Sequence, residues 1–457
     1  MRVERHEDVN LLFVARSRLL VSLMLAAIVL SGVGGFASVR PATAQTGPEL
    51  TMWLDVTGGA TVADCIISDV VGPYNAQGGA QVKAILQPNG WTATQTALAG
   101  GGGPDVVITP GPSFANELAR AGQIVPLDAI AQQYDWASTF APWSLQLGRS
   151  GEQLFSIPNE VETLVLYYNK TLFEANGWAP PTTIDQMMAL GQTVSDAGII
   201  PFAHANAEWR PANEWYLGEF LNHGAGPEVI YQALTGAIPW TDPRIVAALQ
   251  PLNQMQTSGW FMGGLDRYYT TTTADASSAL AYGDAAMKIE GTWFQADADT
   301  YFDEAGQEWD WVPMPSKDGA EIYDLGIGST YSINANSPHQ AETAGFLNYY
   351  FSPQTQATLV ATCGAAPAPV TIPAENLAGL DERMARIIDR LATAAAANNY
   401  GYTTWTFFPP RTEVYLYEEI EKVWAGDMTV EEYLQGAQEI FAAEFEAGGN
   451  PPVPART

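Results

Sequence analysis

Ala281-Tyr-Gly-Asp-Ala-Ala-Met-Lys-Ile-Glu-Gly-Thr-Trp293 is the stretch on which the fold turns. Gly283 closes a helix, a short apolar strand follows, and Gly291 turns the backbone so that Trp293 meets a loop at the strand's exit. Open α/β sheets bind ligands outside the carboxyl ends of their strands. A tryptophan there offers a broad apolar face and a single N–H donor. The stretch gains weight because related pieces lie before and after it, in order along most of the chain.

Working outward, Leu50-Thr-Met-Trp-Leu54 is a strand, Thr57-Gly58-Gly59 a turn, and the helix after it carries Cys65, Ile66 and Val70. Val82 to Leu86 is a second strand, a helix runs through Gln95 and Leu98, and Val106 to Thr109 is a third strand. Strands alternating with helices predict α/β architecture and a mostly parallel sheet. Later helices are marked by caps: a capping box at Thr183 to Gln186, Ser352 followed by Pro353, and a second box at Thr429 to Glu432. On the last helix Tyr433, Ala437, Ile440, Phe441 and Phe445 keep a helical period and are expected in the core. Residues 448–457, rich in glycine and proline, read as a disordered tail.

The chain has 457 residues, 47% apolar and 15% charged, enough for two lobes of about 150 to 200 residues each. Arg16 and Arg18 precede an apolar run from Leu19 to Leu30, and Ala42-Thr43-Ala44 has the small-residue pattern of a cleavage site. Residues 1–44 therefore read as a signal peptide of an exported protein, with retention as an uncleaved anchor the alternative. No cysteine follows the run closely, so a lipid anchor is not indicated. Without those residues, 15 basic residues face 47 acidic ones, a net charge of −32. Such a field repels phosphate backbones and anionic lipid, which argues against nucleic acid and membrane surfaces as partners. Cys65 and Cys363 are the only cysteines, and an even pair in an exported chain is read as a disulfide.

The usual catalytic signatures are missing. His204, His223 and His339 have no zinc spacing, and neither a Gly-x-Ser-x-Gly elbow nor a dinucleotide fingerprint occurs. Gly100 to Gly103 lead into Pro104 and a strand instead of into Lys-Ser/Thr and a helix, which rules out a phosphate loop. No cofactor and no metal are expected. What recurs instead is aromatic and polar residues at strand ends and in loops: Trp53 and Asp55, Thr109 and Ser113, Glu160 and Glu162, Glu208-Trp209-Arg210, Trp293, and Trp405-Thr-Phe407-Phe. Aromatic faces stack on the C–H patches of pyranose rings while carboxylates, guanidinium and hydroxyls take the sugar hydroxyls.

With Gly103-Pro-Asp-Val-Val107, Ile157-Pro158 leading to Tyr167-Tyr-Asn-Lys170, Pro180-Pro-Thr-Thr-Ile184, Gly283 to Trp293, Gly326-Ile-Gly-Ser329 and Ser352-Pro-Gln-Thr-Gln356 in this order, the chain resembles a known family. The family is the extracytoplasmic solute-binding proteins of ABC transporters, in the carbohydrate branch that includes maltose-binding protein. The likeness runs from about Leu50 to Phe445. It implies a two-lobe periplasmic-binding-protein-like fold, a hinge of three crossing segments near Glu162, Gly326 and Pro369, and a ligand cleft between the lobes. By the same match, residues 48–161 and 327–368 form the first lobe, 162–326 and 369–447 the second, and both cysteines fall in the first.

The resemblance further implies a monomeric, non-enzymatic protein that captures a mono- or oligosaccharide and delivers it to permease subunits in the membrane. The expected ligand-binding residues are Trp53, Asp55, Thr109, Ser113, Glu162, Glu208, Trp209, Arg210, Trp293, Trp405 and Phe407. Pro110-Gly111-Pro112 replaces a charged stretch of maltose-binding protein, so maltose itself is not implied. Alternatives are a polyamine- or betaine-type cation in the same fold, or a secreted carbohydrate-active enzyme.

Overall fold

Alternating burial sets the first sheet. In β1 (Glu49–Asp55) Leu50, Met52 and Leu54 point into a core while Thr51 and Trp53 face the other way, as a period of two requires. The remaining strands are β2 (Gln81–Gln87), β3 (Val106–Thr109), β4 (Arg149–Ser150), β5 (Gln153–Leu154), β6 (Ile157–Glu162), β7 (Leu164–Asn169), β8 (Ile200–Phe202), β9 (Ala285–Gly291), β10 (Trp309–Pro313), β11 (Asp324–Ile333) and β12 (Gly401–Tyr402). The structure is a computed structural model that describes residues 47–456 apart from 57–59, 142, 210, 211, 268, 378 and 398. The expected signal peptide and the Thr57-Gly58-Gly59 turn lie outside the described residues.

Two larger sheets result. The first runs β12-β11-β3-β1-β2, with β6 also paired to β11, and the second runs β10-β7-β9-β8. In the first, β1 is parallel to β2 and β3, whereas β11 is antiparallel to β3 and β6. In the second, only β8 and β9 are parallel; β7 is antiparallel to both neighbours. The expectation of mostly parallel pairing therefore fails there. Thr163 alone separates β6 from β7, so β7 enters the second sheet directly from the first, against the direction of the strands that helices later bring beside it.

Each sheet has its own core. Leu50, Met52, Tyr331, Phe346, Tyr350 and Phe351 belong to one, built from residues between 50 and 157 and between 331 and 368. Val165, Tyr167, Phe202, Met287, Phe407 and Tyr433 belong to the other, built from residues between 147 and 327 and between 387 and 441. Each such side chain, fully buried, contributes about 1.5 to 3 kcal/mol, so both cores are substantial. The chain passes between them three times in close company: Val161 pairs with Ile327 and donates its N–H to the Pro367 carbonyl at 2.7 Å.

Helix starts follow local chemistry. Thr183 with Gln186, and Thr429 with Glu432, form reciprocal capping boxes, and the Ser352 hydroxyl accepts from the Thr355 N–H before Pro353 opens its helix. Each cap stabilises by about 1 kcal/mol. The helix Thr273–Tyr282 ends at Gly283, whose φ of 80° is left-handed, and this releases the chain into β9. On the last helix Tyr433, Ala437 and Phe441 are buried as expected, but Ile440 is half-buried and Phe445 is exposed, lying over Phe441 at the helix end.

Residues 448–456, expected as a disordered tail, have no helix or strand yet lie against the body. The Asn116 amide donates to the Gly449 carbonyl, Val453 packs on the second core, and Arg456 donates to the Tyr400 carbonyl and the Tyr402 hydroxyl. Proline stiffness lowers the entropy cost of holding such a strap.

Cys65 and Cys363 form a disulfide, with Cα atoms 5.5 Å apart across 298 positions of sequence. It ties the helical segment after β1 to the helix Pro353–Cys363, both packed on the first core. Closing so long a loop stabilises by up to about 5 to 6 kcal/mol in the chain-entropy picture. Reduction is expected to lower the melting temperature, read by calorimetry with and without reductant. Two titratable thiols in the denatured, unreduced protein would overturn the bond.

Candidate ligand-binding site

The carboxyl end of β9 holds an assembly of three indoles. β9 is buried along its whole length, and it is not wholly apolar: Lys288 and Glu290, two apart and so on one face, pair at 3.0 Å. Lys288 also donates to the Ser277 hydroxyl and lies 4.4 Å over the Phe294 ring. The second carboxylate oxygen of Glu290 accepts the Trp293 indole N–H at 2.7 Å. Trp293 thereby folds back over Gly291, where any Cβ would overlap its six-membered ring. A residue with a side chain at 291 is incompatible with this indole position.

Trp405 meets Trp293 edge to face, with centroids 6.3 Å apart, and Trp215 packs tilted on Trp293 at 5.2 Å. Trp405 sits in the short helix Thr404–Phe407, which is pinned to β11 twice. The Thr403 hydroxyl donates to the Leu325 carbonyl, and the Ile327 N–H donates to the Thr406 hydroxyl. Two glycines make room for it. A Cβ at Gly326 would press on the indole at 3.0 Å, and one at Gly111, whose φ is 110°, would press on the Trp405 carbonyl. The Trp405 indole N–H is buried with no hydrogen-bond partner, which leaves one directed donor free.

Glu162 stands at the same chain passage as Gly326, against which Trp405 packs. It is the last residue of β6, paired in register with Gly326, and its carboxyl group fills the space a side chain at Gly328 would need. Burial pushes its pKa well above the ordinary carboxylate range, and Glu160 adds to the rise. Glu160 itself has a left-handed φ of 57° and accepts from the Ser329 hydroxyl at 2.5 Å. Indole faces, an unpaired N–H and a carboxyl thus converge where the chain passes between its two cores.

The other expected residues divide. Trp53 is half-buried on β1 and Asp55 exposed at its end, beside the start of the helix Gly90–Ala99. Thr109 and Ser113 are fully buried and already engaged. Thr109 donates to the Gly111 carbonyl at 2.8 Å, and Ser113 to the Phe408 carbonyl at 2.6 Å, so both position the loop against Trp405. Phe407 is a core residue, edge-on to Tyr402 at 5.0 Å. Glu208 is exposed and accepts from the Thr273 N–H and hydroxyl, capping that helix. Trp209 is half-buried, with its carbonyl accepting from the Ala212 N–H. Arg210 lies outside the described residues.

Trp215 and Glu290 were not expected. Trp215 lies on the helix Ala212–Phe220, buried almost all round, so no periodicity marks it. Lys288 and Glu290 stood in the quoted stretch, and their alternation within an apolar strand was the available signal. A separate apolar cavity of about 440 Å³, lined by Trp143, Val161, Thr292, Pro367, Val370 and Ile387, adjoins the chain passages. Its walls offer few groups for a polar ligand, and the indole assembly is the better site.

Two sheets with separate cores, joined by three adjacent passages with an aromatic site beside them, define a two-lobed α/β binding protein. The pattern of the bacterial extracellular solute-binding protein family matches residues 66–357, and the chain belongs to that family. It is similar to an uncharacterised ABC transporter extracellular-binding protein of Pyrococcus horikoshii, 24% identical over 383 residues, 79% of this chain and 81% of the relative. A probable sugar-binding periplasmic protein of Brucella suis is 21% identical over 361 residues, 75% of this chain and 79% of the relative. Among solved structures, a chitin oligosaccharide binding protein superposes with a TM-score of 0.73 at 18% identity, over 87% of this chain and 98% of its own. The family places the protein outside the cytoplasm.

Behind the indoles lies a buried pair of carboxyls. The Thr404 hydroxyl donates to Glu214 at 2.7 Å, and Glu413 faces Glu214, while Glu444 accepts from the Arg411 and Thr412 backbone. Burial pushes Glu214 up to about 8, and burial together with Glu214 pushes Glu413 well above its ordinary value. A carboxyl protonated in the fold but ionised in the unfolded chain stabilises fully below about 4.5 and loses that contribution as pH rises to about 8. The unfolding free energy is expected to fall across that window, by up to about 1.4 kcal/mol per pH unit for each proton retained, and the melting temperature with it. Glu413→Gln should flatten the fall in scanning fluorimetry across pH; a variant with the wild-type slope would show that this pair is ionised in the fold.

Proposed function

We propose that the protein is the substrate-binding component of an ABC transporter, capturing a mono- or oligosaccharide between its lobes and presenting the closed form to membrane permease subunits. The observation that carries the reading is the Trp215, Trp293 and Trp405 assembly with the unpaired Trp405 N–H and the Glu162 carboxyl beside it. Indole faces suit the C–H side of a pyranose, and a directed N–H and a carboxyl suit its hydroxyls. The names of the similar proteins support a sugar. A cation cage fits less well, because Lys288 already neutralises Glu290 behind the indoles.

In this reading the lobes divide as 48–161 with 327–368, and 162–326 with 369–447. They rotate about the passages near Glu162, Gly326 and Pro369. Ligand stabilises the closed arrangement, and the permease reads occupancy through its differential affinity for that arrangement. Residues 1–44 direct export and are removed, and the protein acts as a monomer that leaves its ligand chemically unchanged.

A thermal-shift screen of the mature protein over sugars, polyamines and betaines tests the ligand class. A saccharide at 100 times its dissociation constant should add about 2.7 kcal/mol, and stabilisation by cations alone would overturn the proposal. Solution scattering should show a smaller radius of gyration at saturating ligand.

Trp293→Ala and Trp405→Ala should each weaken saccharide binding at least tenfold, about 1.4 kcal/mol, in calorimetric titration. Gly291→Ala should do the same by displacing the Trp293 indole. Unchanged affinity with lowered stability in all three would mean that the indoles serve only as core.

A further inference from the structure

We propose that Glu219, His223 and Asp324 form a binding site for one divalent transition-metal ion of the zinc or manganese type, holding a helix of the second core to the first residue of β11. Glu219 is the penultimate residue of the helix Ala212–Phe220, and His223 stands in the π-helical turn Leu221–Ala225 that continues it. Four positions apart, the two side chains project on one side of the helix. Asp324 opens β11, where its backbone pairs with Gly401. All three are at most 2% exposed.

The distances suit a coordination sphere. His223 Nε2 lies 3.2 Å from Glu219 Oε2 and 3.5 Å from Asp324 Oδ1, and one ligand atom from each residue falls within 4.8 Å of the others. Neighbouring ligands bound tetrahedrally at about 2.1 Å would be about 3.4 Å apart. Both ring nitrogens of His223 and both oxygens of each carboxylate are buried without an aligned hydrogen-bond partner. Buried polar atoms without aligned partners are costly unless something else satisfies them.

A divalent cation does so with balanced charge. Two carboxylates and a neutral imidazole carry −2, which the ion cancels. One nitrogen with two carboxylates favours zinc or manganese over calcium or magnesium, which take oxygen ligands.

The surroundings hold the three residues in place. The His223 carbonyl accepts from the Lys317 N–H at 2.9 Å. Asn222 is stitched to Tyr402 in both directions, its amide donating to the carbonyl and its oxygen accepting from the N–H, each at 2.9 Å. Gly401 is required, because a Cβ there would overlap the Asp324 carboxylate. Such support keeps ligands ordered before an ion arrives.

Since the cluster is closed to solvent, the ion enters during folding. The test uses the untagged mature protein, unfolded in denaturant with chelator and refolded separately with zinc, manganese, calcium or chelator, then desalted. Metal per chain is read by plasma mass spectrometry and stability by melting temperature. One equivalent of zinc or manganese, with a melting temperature above that of the chelator arm and no calcium retained, is the expected result.

Glu219→Gln and Asp324→Asn, which keep shape and remove charge, should each cut retained metal at least about tenfold. Four results overturn the site: no zinc or manganese above the chelator arm, retention of calcium alone, retention that survives both substitutions, or metal retained without stabilisation. If neither variant refolds, the wild-type arms decide.

Discussion

The absent side chain at Gly291 is the constraint on which the site depends. Glycine in a strand interior costs about 0.5 to 1 kcal/mol relative to alanine, because it gains nothing from packing and loses more entropy on folding. Here the empty position lets the Trp293 ring fold back within bonding distance of Glu290, and Lys288 balances the charge. Breaking that buried pair from one side would leave an uncompensated charge. Gly326, Gly328 and Gly111 repeat the device, each vacating space that Trp405 or Glu162 occupies. The aromatic surface is therefore shaped from behind by residues that never need to touch a ligand.

Local chemistry was legible in the sequence, and contacts between distant segments were not. Helix starts at Thr183, Ser352 and Thr429, the left-handed exit at Gly283 and the strand around Met52 all follow from neighbours within a few residues. The Cys65 and Cys363 pairing followed from counting. Residue type placed Thr109, Ser113 and Phe407 among ligand-binding candidates, yet whether a hydroxyl is free depends on what folds against it. Gly111 and Phe408 supply the acceptors, the latter nearly three hundred positions away. Trp215 was hidden for the opposite reason, since its helix is surrounded and shows no polar face.

Spacing also explains why histidine inspection pointed away from metal. Glu219 and His223 are close in sequence, but Asp324 arrives from the start of β11, a strand of the first sheet, about a hundred positions on. A cluster assembled in this way leaves no motif. It is visible as a group of buried polar atoms with nothing aligned to meet them.

The place of β11 in the first sheet has a consequence for biosynthesis. β1, β2 and β3 leave the ribosome early, but β11, the second partner of β3, comes only after all four strands of the second sheet. The half of the molecule begun first thus waits for a late strand, and its seal, Cys363, is the last of its cysteines to be made. Until then Val106 to Thr109 presents an open strand edge, a site where nascent chains can pair wrongly. Oxidation of Cys65 to Cys363 records that the interrupted sheet has closed around its inserted neighbour.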